Sequence, residues 1–265
     1  MFPLFGKKYH KITKKIFATQ LKRDFTVDIY APKNSLPWQK SPLILFNDGQ
    51  DLAKMPLLDF LESLRSNKEI PAVTVVGIYA NEQRMDIYGT AHQADYKGRG
   101  ALAADYTHFV VDELIPFLQS NYRIKRNDVA VAGFSLGGLS AFDLAWHNAV
   151  FSKVGVFSGS LWWRSKIFTA EQPDSDLIVH DVVRETVNPP KLKMWLQAGT
   201  LDEDSDRNNN GIIDAIDDTL QLMDLLEQKG YKKDEDFTYV EVEGGKHDVP
   251  TWESVMGDFL KWSVK

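Results

Sequence analysis

Apolar positions change period several times along the chain, and each change predicts an element. Phe25, Val27 and Ile29 alternate with Thr26, Asp28 and Tyr30. This is the period-two pattern of a half-buried strand, expected to pair antiparallel with the segment Ile16 to Thr19. Ala31 to Pro42 holds three prolines and an Asn-Ser pair and reads as a loop. Leu43 to Phe46 is continuously apolar, as a strand covered on both faces should be, and Ala72 to Tyr79 is a second buried strand. Further strands are predicted at Val129 to Ala132, Val154 to Phe157, Lys193 to Gln197 and Phe237 to Val242.

Helical spacing marks Leu57 to Ser66, Leu139 to Trp146, Asp214 to Lys229 and Trp252 to Trp262. It also marks Ala101 to Tyr122, where Phe109, Val110, Leu114 and Leu118 form the stripe and Pro116 predicts a kink. Asp105 and His108 on that segment read as surface or capping groups. Strand and helix alternate, which implies a mainly parallel sheet with right-handed crossovers and helices on both faces, edged by the antiparallel amino-terminal pair. Two stretches stay irregular. Asn81 to Gly100 is too long for a simple connection and is expected to border a functional site. A Pro/Asp-rich loop runs from the aromatic Leu161-Trp162-Trp163 to Pro190. With no repeat and no low-complexity linker, residues 1–265 read as one domain.

Composition narrows this picture. Hydrophobic content of 43% and charge of 26% are ordinary for a globular chain, and a net charge of -6 argues against nucleic acid as the main partner. The charge is unevenly spread: Met1 to Arg23 carries seven Lys/Arg and no Asp/Glu, a pattern read as a pair of solvated edge strands. The absence of cysteine excludes disulfides, thiolate metal sites and a cysteine nucleophile. Neither a signal-peptide core nor an 18-residue apolar run is present, so the expectation is a soluble, cytoplasmic protein without membrane contact, or a secreted or periplasmic one if a leader has been removed.

The candidate chemistry centres on Gly133-Phe134-Ser135-Leu136-Gly137-Gly138, between a strand and a helix. A Gly-x-Ser-x-Gly there is a nucleophile elbow: a strained turn presents the serine hydroxyl, and the next amide, that of Leu136, faces a developing oxyanion. A serine needs a histidine to take its proton and a carboxylate to orient that histidine, in the chain order Ser, acid, His. His247, in Gly244-Gly245-Lys246-His247-Asp248 after a strand, is the candidate base. His147 falls on a buried helical pattern and His180 within a long loop. The acid should follow the strand Lys193 to Gln197, where Asp202 comes first and Glu203 competes. Asp48-Gly49-Gln50, after an early strand, offers the Gln50 amide as second oxyanion donor.

A second pattern overlaps the acid loop. Asp206-x-Asn208-x-Asn210-Gly211-x5-Asp217 fits a calcium loop, with Ile212 giving a carbonyl and Asp214 at the ninth place. The competing reading is an Asx-rich turn with Asp214 capping the next helix. An ion bound there would be structural, and catalysis would need no cofactor.

Several stretches together resemble the Putative esterase family of enterochelin-esterase and feruloyl-esterase type, within the α/β-hydrolases. They are Asp48-Gly49-Gln50, Arg84 to Tyr88, Glu113-Leu114-Ile115-Pro116, Asn121-Tyr122-Arg123, Gly133 to Gly138, Ser158 to Trp163, and Gly244-Gly245-Lys246-His247 followed by Trp252. The resemblance implies an α/β-hydrolase fold and a serine carboxylic-ester hydrolase, with Ser135, His247 and Asp202 as triad and Leu136 and Gln50 as oxyanion donors. It also implies that Arg84, Trp162 and Trp163 line a pocket for a small-molecule or carbohydrate-linked ester, although packing is the equal alternative for the tryptophans. An acyltransferase of this fold and a catalytically silent binding module are the competing functions.

Overall fold

A computed structural model describes residues 7–33, 39–80 and 82–265. Among them, eight strands form one sheet in the order β1-β2-β4-β3-β5-β6-β7-β8. The strands are β1 (Tyr9–Ala18), β2 (Arg23–Pro32), β3 (Ser41–Asn47), β4 (Thr74–Ile78), β5 (Ile124–Phe134), β6 (Lys153–Phe157), β7 (Lys193–Leu201) and β8 (Phe237–Lys246). Pairing from β4 through β3 and β5 to β8 is parallel, whereas β1 with β2 and β2 with β4 are antiparallel. This is the mainly parallel sheet with an antiparallel amino-terminal edge expected from the alternating pattern, in the α/β-hydrolase-like arrangement that the resemblance implies.

The apolar runs follow from two-sided burial. Leu43 and Leu45 on β3 belong to one core, while their neighbours Ile44 and Phe46 belong to the core on the opposite face. The first core is shared with Leu139 and Phe142 of α6 (Leu136–His147) and Leu222 and Leu226 of α8 (Asp214–Gln228). The second takes Leu57 and Leu61 of α2 (Leu57–Ser66) and Met256 and Phe259 of α9 (Val249–Ser263). Each strand residue therefore removes an apolar side chain from water whichever way it points, for about 1.5–3 kcal/mol per large side chain.

Several boundaries differ from expectation, each for a physical reason. The amino-terminal hairpin is much longer than its apolar residues suggest: β1 pairs from Tyr9 to Ala18, with Lys11, Lys14 and Lys15 along the sheet edge. Charged residues on an edge strand keep its free hydrogen-bonding side from pairing with other chains. The amino-terminal part of the basic arm, Met1–Gly6, and the loop positions 34–38 lie outside the described residues, as does Asn81. The single helix expected over Ala101 to Tyr122 is divided into α4 (Ala103–His108), a π-helical segment Phe109–Leu114 and α5 (Ile115–Asn121). Pro116, in the first turn of α5, can neither donate to the turn before it nor avoid that turn's carbonyl, and the wider π winding takes up the disruption. The irregular stretches also hold short helices, α3 (Arg84–Ile87) and α7 (Ile178–Glu185).

Candidate active site

The candidate residues collect at the carboxyl ends of the parallel strands, where open α/β sheets place their ligands. Asp48 follows β3, Ser135 follows β5, Ser158 follows β6, Asp202 follows β7 and His247 follows β8.

Ser135 joins β5 directly to α6, with φ 56° and ψ -124°, a conformation that costs a non-glycine residue about 1–3 kcal/mol. The surroundings hold it there. Its N–H donates to the Phe157 carbonyl at 2.8 Å, and its own carbonyl accepts from Gly138 at 2.9 Å and Ser160 at 3.1 Å. Both motif glycines are steric necessities: a Cβ on Gly133 would lie 2.2 Å from the Gly137 oxygen, and one on Gly137 would lie 2.4 Å from an Asp48 carboxylate oxygen. The helix begins at Leu136, earlier than expected, so the Leu136 amide belongs to the first turn, whose N–H groups have no partner within the helix. The Ser135 Oγ lies 3.4 Å from the Ser160 hydroxyl.

Behind the elbow is a buried polar frame. Asp48, in a left-handed conformation with φ 57°, is fully buried and receives a bidentate pair from Arg84, Nε to Oδ1 and Nη2 to Oδ2, both at 2.7 Å. The same Nη2 reaches the Phe134 carbonyl at 3.2 Å, just before the serine. Asn47 donates to the Gly137 carbonyl at 2.9 Å and accepts from the Tyr106 hydroxyl at 2.6 Å, and the Tyr88 hydroxyl accepts from the Asp48 amide. Gln50 sits in the four-residue α1 (Gly49–Leu52). Its side chain donates to Asp48 at 2.9 Å and accepts from the Ala80 amide at 3.0 Å, which fixes the turn that carries its backbone.

Asp202 and His247 meet through strand register. The parallel pairing of β7 and β8 shifts between Gly199 and Leu201 and ends with Leu201 opposite Lys246, so the next residue on each strand is Asp202 and His247. Gly199 permits this approach, since a Cβ there would stand 2.4 Å from the Gly245 oxygen. The imidazole Nδ1 lies 3.8 Å from Asp202 Oδ1. The Asp202 carboxylate is completely shielded and accepts from the Ser158 hydroxyl at 3.0 Å and the Gly199 amide at 3.0 Å. Ser158 accepts in turn from Trp252 Nε1 at 2.9 Å, and the Trp252 ring meets the imidazole edge-on at 5.5 Å. Two hydrogen bonds and a tryptophan thus hold the carboxylate and the histidine in place.

Ser135, Asp202 and His247 line one open cavity of about 380 Å³, together with Ser158, Ser160 and Trp162. Glu203 also lines it, and burial first, then the nearby Asp214 charge, raises its carboxyl above the usual range. The other expected pocket residues are placed differently. Trp163 is fully buried in the first core and has no accessible face, which corrects its assignment as a pocket residue. The Arg84 guanidinium is engaged by Asp48 and Phe134 rather than turned into the cavity. His147 is not buried: it ends α6 with 42% of its side chain exposed. His180 lies in a helix rather than a loop, fully buried, bonded through Nε2 to the Asp218 carbonyl at 2.8 Å and pushed down to about 4 by burial. Ser158 and Ser160 lie in one of the stretches that carry the family resemblance, but neither was assigned a role at the site from sequence.

In the expected calcium loop, Asn209 and Gly211 take left-handed backbone with φ 57° and 87°. Asp206 accepts from the Asn210 and Gly211 amides, Asn210 from the Ile212 amide, and Asp214 from the Arg207 amide. Asn208 donates to Asp217 at 2.8 Å and to Asp174 at 3.0 Å. Asp214 is the first helical residue of α8 and not its cap, which is Ile213.

Comparison with known proteins agrees with this architecture. Over 252 residues, covering 94% of this chain and 95% of the relative, the sequence is 24% identical to the uncharacterized protein YjcH of Bacillus subtilis. The fold is similar to that of the BES protein from Bacillus cereus, at a TM-score of 0.70 and 18% identity over 100% of this chain and 97% of the other. It is similar to a ferulic acid esterase, at 0.71 and 17% over 98% of both chains. It is also similar to the enterobactin esterase FES from Shigella flexneri, at 0.73 and 21% over 96% of this chain and 59% of that longer one. No helix among the described residues is long and apolar enough to cross a membrane. The model of the family described as Putative esterase matches residues 18–262, nearly the whole chain, and the protein belongs to that family.

Proposed function

We propose that this protein is a serine carboxylic-ester hydrolase that works through an acyl-enzyme. The observation that carries the reading is the β7–β8 register, which sets Asp202 beside His247 at the cavity that Ser135 also lines. Ser135 Oγ attacks the ester carbonyl while His247 Nε2 takes the hydroxyl proton, and Asp202 fixes the other ring nitrogen and stabilises the imidazolium. The Leu136 and Gln50 amides receive the negative charge that grows on the carbonyl oxygen. As the intermediate collapses, the carbon–oxygen bond to the alcohol breaks and His247 returns the proton to it. Water then attacks the acyl-enzyme with the same histidine as base, releasing the acid and free Ser135. Imidazole and carboxylate lie 3.8 Å apart, close enough for the carboxylate charge to stabilise the imidazolium.

Trp162, partly exposed at the cavity, offers an apolar wall to an acyl or alcohol group. Enterobactin and ferulic acid esters, named for two relatives of similar fold, head the substrates to try. Hydrolysis of a panel of siderophore, phenolic and short acyl esters by wild type, Ser135→Ala and His247→Ala tests the reading. Turnover lost in both variants supports it, and turnover that survives Ser135→Ala sinks it.

The same reading assigns a structural Ca²⁺ to Asp206, Asn208, Asn210, Ile212, Asp214 and Asp217. The one–three–five–twelve spacing and the left-handed turns at Asn209 and Gly211 support it. An ion there would brace the loop after Asp202. Calcium should raise the melting temperature of wild type but not of Asp206→Ala, and an equal response in both would refute the site.

A further inference from the structure

A second cluster, which the hydrolase chemistry does not use, lies where α6 ends. We propose that His92, Asp143 and His147 form a three-ligand site for a late first-row divalent metal, Zn²⁺ in the first instance, which clamps the Thr90–Gln93 turn to the end of α6. The site does not rest on the esterase reading. Among the described residues, this is the grouping in which three metal-ligating side chains bring their donor atoms within 4.8 Å of one another.

The geometry suits an ion. Asp143 and His147 are four residues apart on α6 and so project from one face of the helix. His92 comes from the facing turn, which the Thr90 hydroxyl closes by donating to the Gln93 carbonyl at 2.6 Å. The two imidazoles approach the same carboxylate oxygen, at 3.8 Å for His92 Nδ1 and 3.5 Å for His147 Nε2, and their ring centroids are 5.4 Å apart. These separations are too long for good hydrogen bonds, and an ion held between all three groups would lie at ordinary ligand distances from each.

The electrostatics point the same way. The Asp143 side chain is 5% exposed, and its ion-pair partners among the described residues are the two histidines, with no Lys or Arg. A buried carboxyl group that faces two imidazoles and no Lys or Arg leaves room for a divalent ion as its cationic partner. The Asp143 oxygen not shared by the histidines already accepts from the Ala91 amide at 2.8 Å, a bond that would orient it as a ligand. Two imidazoles and one carboxylate favour zinc, nickel or copper over calcium or magnesium. Both histidines are about two-fifths exposed, so water can fill the remaining positions. Eight residues of helix separate Ser135 from Asp143, roughly 12 Å at 1.5 Å per residue, which makes the ion a brace and not a participant at the serine.

The test uses the full chain after chelator treatment and dialysis. Isothermal titration with Zn²⁺ should give one site per chain, and a hundredfold excess over Kd should raise the melting temperature by roughly 5 °C or more. His92→Ala and His147→Ala should each weaken binding on the order of a hundredfold, while Asp206→Ala should keep it intact. Co²⁺ in place of zinc should give a visible absorption band in wild type that is absent from both histidine variants, a readout that reports the ligands directly. No stoichiometric zinc binding, the same affinity in both histidine variants, or loss of the zinc site in Asp206→Ala instead would overturn the proposal. If a histidine variant fails to fold, the wild-type cobalt spectrum decides: a band supports the site, and its absence overturns it.

Discussion

The turn after β5 and the turn after β7 both deliver a side chain to the same cavity, yet they are built on opposite principles. The elbow at Ser135 is held by backbone. Gly133 and Gly137 leave no room for a Cβ beside the Gly137 carbonyl and the Asp48 carboxylate, main-chain hydrogen bonds run to Phe157, Gly138 and Ser160, and buried Asp48, paired with the partly exposed Arg84, backs it. The turn after Asp202 is held by side chains: Asp206, Asn208, Asn210 and Asp214 cap its amides near the surface, while the Asp202 carboxylate and the Arg207 guanidinium, paired with Asp218, are buried. A packed backbone frame resists change in any member. A turn made of side-chain caps tolerates replacement, and here it admits an ion-loop pattern that starts at Asp206 and runs into the first turn of α8.

Substitutions on each side put the contrast to the test. The largest effect is expected within the acid turn itself. Asp202→Asn should lower ester turnover about 10⁴-fold, the loss expected when the orienting carboxylate of a triad is neutralised, while Glu203→Gln changes it less than about tenfold. Equal losses would mean that the two carboxylates share the role. On the elbow side, Arg84→Leu leaves Asp48 buried without its partner and should cost about 3–5 kcal/mol in urea unfolding. A loss below about 1 kcal/mol would show that the frame does not depend on the pair.

Next in size is a pH effect on the acid side, where α7 packs on α8. His180 is buried neutral and pushed down to about 4, so the unfolded chain takes up this proton first as pH falls below about 6.5. The stability it contributes is complete above pH 6.5 and is lost on the way down to pH 4. Relative to His180→Gln, wild type should lose about 3 kcal/mol across that window. A difference between the two proteins that stays constant from pH 7 to 4 would refute the assignment. The smallest effect separates the two turns directly. Gly133→Ala drives a Cβ into backbone and should cost about 3 kcal/mol, whereas Gly211→Ala meets open space and pays only for its positive φ, about 1 kcal/mol. Chemical denaturation of both variants checks the order.

How legible each region was in sequence follows from the same contrast. Two-sided burial writes itself as apolar runs, so the central strands and the alternation of the fold could be read from Leu43 to Phe46 or Val129 to Ala132. The ends of β7 and β8 could not, because Thr200, Glu243 and Lys246 are polar residues at the sheet's rim and extend the strands without an apolar signal. The register shift that sets Asp202 beside His247 is a property of two strands together, invisible in either. The Asp48–Arg84 pair spans 36 residues and gives no local pattern. Trp162 and Trp163 are adjacent and chemically identical, and only the packing of the fold turns one to the cavity and buries the other. The exposure of His147 was hidden by its place at the end of an otherwise buried helix.

The central claim is that Ser135 is a nucleophile activated by His247. Labelling of the native protein with a fluorophosphonate probe, followed by peptide mass mapping, tests it most directly. One covalent adduct is expected on Ser135, absent from Ser135→Ala and much slower to form in His247→Ala, with all three proteins folded. A native, folded wild type that takes no label, or one that labels equally well after Ser135→Ala, would contradict it.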